Sequence, residues 1–113
     1  MVLVAGSQAE LFMKAIRATG MIAATFTQPS THISVQLKGM DATSARARAA
    51  DIELSKLTVD RFVADAAPLG YPEDVLRTVF WSDPADLIAI TFSPTAAFLQ
   101  TPGPRAGEAL PSK

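Results

Sequence analysis

The sequence predicts an α+β domain: an N-terminal helix, a β-hairpin, two to three helices and a final strand, forming a small sheet with helices on one face. Three observations carry this. Ala9, Phe12, Met13 and Ile16 recur at helical spacing. Two runs rich in apolar and β-branched residues flank Gln28-Pro29-Ser30. Val59, Phe62, Val63 and Ala66 then return to helical spacing, ahead of an apolar run at Leu87 to Phe92. Period 3.6 marks an amphipathic helix, and a short apolar run bounded by turn residues marks a strand.

The first helix is expected over Ser7 to Thr19. Ser7-Gln8-Ala9-Glu10 has the form of a capping box, in which the hydroxyl accepts from one free amide and the carboxylate from another. Glu10 and Lys14 stand in the favourable i,i+4 order on the opposite face. Gly20 supplies the stop, since a residue without Cβ turns left-handed at little cost.

The hairpin is expected between Met21–Thr27 and Thr31–Lys38. Pairing Thr27 with His32 sets Phe26 against Ile33, Ala24 against Val35 and Ile22 against Leu37, so all six inward residues are apolar. The other face then carries Thr25, Thr27, His32, Ser34, Gln36 and Lys38. A one-residue slip puts polar groups into the core, which specifies the facing of each strand.

Beyond Gly39, Asp41 is read as capping a helix from Ala42 to Ser55, and Thr58 as capping a second one to Ala67. Pro72, followed by Glu73 and Asp74, opens a third, with Leu76, Val79, Phe80 and Val75 as its apolar side. The strand Leu87–Phe92 is apolar on both faces, which suits a covered or central position. Residues 1–100 therefore read as one domain. Residues 101–113 read as a flexible tail, because they hold Pro and Gly without any period.

Composition bounds the function. At 113 residues and 11.9 kDa the chain has the size of one domain. Hydrophobic residues at 49% against 19% charged exclude general disorder. Ten basic and eleven acidic side chains exclude broad electrostatic capture of nucleic acid or membrane. Cys is absent, so disulfides, thiolate metal sites and cysteine nucleophiles are excluded. A single His excludes a multi-histidine metal site within one chain. No Gly-rich phosphate loop stands out, and neither of the long uncharged stretches has the composition of a spanning helix. No cofactor or metal is expected, and the chain reads as soluble, cytoplasmic and bacterial in type.

Few residues carry chemistry. His32, the single imidazole, is the candidate base, yet no nucleophile or carboxylate stands at a motif spacing from it, and the plainer reading is a solvated residue beside the turn. With Thr25, Ser34, Gln36 and Lys38 it forms the candidate binding face. Tyr71 and Trp81, beside Phe80, are candidates for a pocket or an interface, where amphipathic rings are favoured. No catalytic set emerges. The leading expectation is a non-enzymatic interaction or regulatory protein that forms a homodimer, with one side of Leu87–Phe92 covered by a second copy or by a protein partner. A DNA-binding transcriptional regulator using the hairpin's polar face is the second class, and a small-molecule binder or enzyme, with its pocket near Trp81 and Tyr71, is the third.

Residues Thr31 to Ala67 resemble the ribbon-helix-helix family of dimeric DNA-binding proteins. The matching pieces are the strand His32-Ile33-Ser34-Val35-Gln36-Leu37-Lys38, a following helix, and Leu57-Thr58-Val59-Asp60-Arg61-Phe62-Val63. The resemblance implies that His32, Ser34, Gln36 and Lys38 enter a major groove from a two-stranded ribbon shared by two subunits. The net charge of −1 makes nucleic acid the less favoured partner. The element order is also similar to the αββααβ arrangement of one RNA-binding fold, without the Gly-rich clamp loop of that module.

Overall fold

The computed structural model describes residues 1–111. In chain order the elements are β1 (Val2–Ala5), α1 (Glu10–Thr19), β2 (Ile22–Thr27), β3 (Ser34–Gly39), β4 (Thr43–Arg46), α2 (Ala49–Ala66), α3 (Glu73–Val79), β5 (Leu87–Thr91), β6 (Ala96–Leu99) and β7 (Ala109–Leu110). The fold is α+β, with its strands in two antiparallel sheets ordered β1-β5-β4 and β2-β3-β6-β7.

The main core lies between α1 and the first sheet. Met13 and Ile16 of α1 pack with Ile22, Ala42 and Ile90, and Val2, Val4, Ile88 and Phe92 close the margin. The stripe read in α1 is thus the buried one, except that Phe12 stays exposed. Ser7 does not cap the helix. Its amide donates to the Asp86 carboxylate at 2.9 Å and its hydroxyl reaches the same group, while Gly6–Gln8 forms a 3-10 turn ahead of α1. The Ser oxygen is engaged at long range and Ala9 occupies the cap position. Gly20 ends α1 as expected, with φ +69 and its amide on the Ile16 carbonyl.

The hairpin keeps its predicted faces but not its register. Phe26 pairs with Val35, Ala24 with Leu37 and Thr27 with Ser34, a shift of two residues, which preserves side-chain parity. His32 accounts for the shift. It has φ +59 and so belongs to the turn, which Gln28 closes through its amide to Ile33 and its carbonyl to His32. The polar face is also less open than expected. Ser34 is buried, its hydroxyl 2.7 Å from that of Thr27 and its amide donating to the Thr101 hydroxyl.

The segment after Gly39 corrects the helix expected there. Asp41 accepts from the Ser93 amide and caps nothing, and Thr43–Arg46 forms β4 against β5. Ala-rich helical propensity yields here to ladder hydrogen bonds with a buried central strand. Helix begins only at Ala49, where Asp51 accepts from the Arg48 amide at 2.9 Å. It then runs unbroken through the expected joint. Thr58 donates its hydroxyl back to the Leu54 carbonyl instead of capping. Ile52, Val59, Val63 and Ala66 stay in phase across the joint, which favours a single rod.

The ribbon-helix-helix resemblance fails on both counts. There is one helix where that family has two. β3, which would form the ribbon, is flanked within the chain by β2 and β6.

β5 is the central strand of its sheet, as its composition implied. Both of its faces are closed by the same chain: Leu87 and Ala89 are buried on one side and Ile90 on the other. The open apolar face expected on β5 is thus covered within the chain. Residues of the segment read as a tail make contacts with the rest of the chain. The Gln100 amide donates to the Ser34 carbonyl, Arg105 pairs with Glu108, and β7 extends the second sheet against β6. Residues 112–113 of that expectation lie outside the described residues.

Candidate functional site

Val63 and Ala66 of α2 pack with Leu76 of α3, flanked by Val59 and Phe62. The Phe62 ring meets that of Phe80 with centroids 4.4 Å apart. These contacts use only part of the apolar surface of the two helices. Leu54 and Thr58 lie on the next turns of α2, and Val79 continues α3 past Leu76. They face Met1 and Leu3 at the start of the chain and Phe26 from the hairpin. Together these residues wall a groove of about 510 Å³, floored by Leu87.

A second depression of about 400 Å³ adjoins it, sharing Ser55, Val59, Phe80, Ser82 and Leu87. Its far wall is Trp81, Pro84, Lys56, Asp60 and Arg77. Arg77 donates to Asp60 at 2.7 Å and to Glu73 at 3.0 Å, and these carboxylates raise the guanidinium pKa above its ordinary value. Lys56 pairs with Glu53 at 2.9 Å. Both cations at this rim are thus already engaged, Arg77 by two carboxylates and Lys56 by one, and these ion pairs are exposed, so each contributes little to stability.

The groove wall has unusual exposure for its residue types. Val79 is 68% exposed and Phe26 48%, Leu54 and Phe80 are little better covered, and Trp81 of the adjoining depression is 69% exposed. Isolated exposed apolar side chains are ordinary, but a contiguous set around a concavity marks a binding surface. The groove itself is lined by no titratable side chain, only by Ser and Thr hydroxyls among apolar groups. Among the described residues no cluster of three or more His, Asp or Glu could hold a metal ion, and no buried side-chain polar atom lacks a partner. The arrangement can exclude water from an apolar guest.

The residues singled out from the sequence fall in three places. Thr25 and Gln36 are direct cross-strand partners, and Ser34 and Lys38 share their face. That face is dominated by local contacts: Ser34 is sealed by Thr101, and the Lys38 ammonium sits 5.0 Å above the Phe98 ring. His32 stands apart, in the exposed hairpin turn. Trp81 does line a depression, whereas Tyr71, exposed ahead of α3, lines neither one. Sequence reasoning missed Met1, Leu3, Phe26, Leu54 and Val79 as site residues. The available signal was an excess of apolar residues over what one helical stripe needs, at Leu54 on α2 and Val79 on α3.

Among the described residues no helix is long and apolar enough to cross a membrane. Comparison with protein-family models, with curated proteins and with solved structures returned no match.

Proposed function

We propose that this chain is a small, soluble, cytoplasmic interaction or regulatory protein without catalytic activity, that it acts as a homodimer, and that the groove between α2, α3 and the start of the chain is its working surface. One observation carries the reading: the groove is walled by exposed Phe26, Leu54, Val79 and Phe80 and contains no titratable side chain. A surface of this kind gains free energy by apolar contact, roughly 25 cal/mol for each Å² removed from water. Its natural guest is an apolar segment of a partner protein. Self-association suits a domain of this size, which covers its apolar surface incompletely when alone.

Two measurements on the full chain test this. Light scattering at micromolar concentration should give about twice 11.9 kDa. An anilinonaphthalene sulfonate dye should brighten on binding the groove, and Leu54→Asp should abolish the signal without altering the circular dichroism. A monomer mass removes the homodimer. Equal dye uptake by both proteins removes the groove.

A further inference from the structure

β2 has one edge on β3 and, among the described residues, the other on no strand. Which backbone groups face outward follows from the ladder. The Gln28 amide bonds to the carbonyl of Ile33, directly across the hairpin, and bonded and non-bonded pairs alternate along antiparallel strands. Ile22, Ala24 and Phe26 therefore spend their amides and carbonyls on β3. Those of Ala23, Thr25 and Thr27 point outward, and among the described residues they make no backbone bond beyond the ladder. All three residues are exposed.

Such edges are normally blunted by charge, by proline or by shortness. The other edges obey this rule better. β4 carries Arg46, β7 has two residues and runs into Pro111, and β1 has four residues. β2 has six residues, Ile-Ala-Ala-Thr-Phe-Thr, with no charge and no proline.

We infer that the edge of β2 pairs with β2 of a second copy, antiparallel about a two-fold axis at Thr25, joining two four-stranded sheets into one of eight strands. This inference rests on the homodimer proposed above and names its seam. The strand is self-complementary in that register. Thr25 faces Thr25 of the partner subunit, and Ala23 faces Thr27 of the partner subunit. The outward groups of all three then meet as bonded pairs, giving six backbone hydrogen bonds. No like charges meet, and Thr–Thr is a favourable cross-strand pair. On the other face Phe26 lies opposite Ala24 of the partner subunit, a large ring over a small residue. The same ring borders the groove, so the seam continues into apolar surface. That continuation is needed, because a stable dimer hides about 800 Å² per partner and a six-residue edge alone supplies less.

The chain has no cysteine, so a single introduced thiol reports unambiguously. Bonded pairs place their Cα atoms about 5.5 Å apart, within the range that a disulfide spans. Thr25→Cys should oxidise to a species of about twice 11.9 kDa on non-reducing electrophoresis. Ser93→Cys, exposed in the β5–β6 connection, should not. Thr25→Lys sets two ammonium groups against each other at the axis and leaves the exposed position soluble. It should scatter as a monomer with unchanged circular dichroism. A wild-type chain that is monomeric overturns the seam and the homodimer together. A dimer that persists in Thr25→Lys overturns the seam alone.

Discussion

The two apolar clusters differ in how completely they close. Around Ile90, α1 and the first sheet surround the side chain until nothing of it is exposed. Around Leu76, α2 and α3 pack along one line only, and Leu54, Val79 and Phe80 are left at the surface a turn or two away. The first cluster is finished by the chain itself. The second has the side-chain composition of a core and the geometry of half of one. The closed cluster carries stability and the open one is the surface proposed for binding, so substitutions can separate the two.

Ile90→Ala gives the largest expected effect. Deleting a fully enclosed side chain costs roughly 2–5 kcal/mol, because the walls cannot collapse. The melting temperature should fall by about 10 °C or more. Leu76→Ala should cost less, at the low end of that range, since the neighbouring groove gives its walls room to move. Equal losses at the two sites would erase the distinction drawn here.

Gly20→Ala should rank next, at about 1–2 kcal/mol by urea denaturation. Gly20 has φ +69, and an added Cβ would stand 2.5 Å from the Met40 carbonyl oxygen. Val79→Asp should shift the midpoint by about 0.5 kcal/mol or less, as expected of an exposed position, while removing dye binding from the groove. A large loss of stability there would show that the second cluster is closed after all.

The smallest effect concerns acid. The Ser93 amide, by hydrogen bonding, holds the Asp41 carboxyl below its ordinary value. A depressed folded-state pKa stabilises above the unfolded value of about 3.9, and the contribution is lost as pH falls through the folded value. Urea midpoints should therefore drop below pH 4, and Asp41→Asn should flatten that limb.

Much of the closed region was legible in the sequence. Met13 and Ile16 follow from helical spacing, and the two faces of the hairpin follow from alternation, which a two-residue shift cannot disturb. The shift itself depended on a left-handed His32, which no pattern encodes. β4 was hidden because Ala42 to Arg46 reads as helix until a long-range partner supplies ladder bonds. β1 and β6 are four residues each, too short for periodicity. The groove was least legible of all. It is made of apolar residues left partly open after the helices have packed, and that property belongs to the assembled fold, not to any segment of it.

The pairing of β1 with β5 sets Val2 against Ile90, distant in sequence. During synthesis Val2 to Ala5 must therefore wait for Leu87 to Ile90 before their strand can form. Contacts of such sequence separation slow folding, because chain entropy is lost before they can compensate. Helix α1 and the β2–β3 hairpin can form early, but the core around Ile90 cannot close until β5 arrives. Until then Val2 to Ala5 is an uncharged extended segment free to pair elsewhere, so the yield of folded protein should depend on how quickly synthesis reaches residue 90.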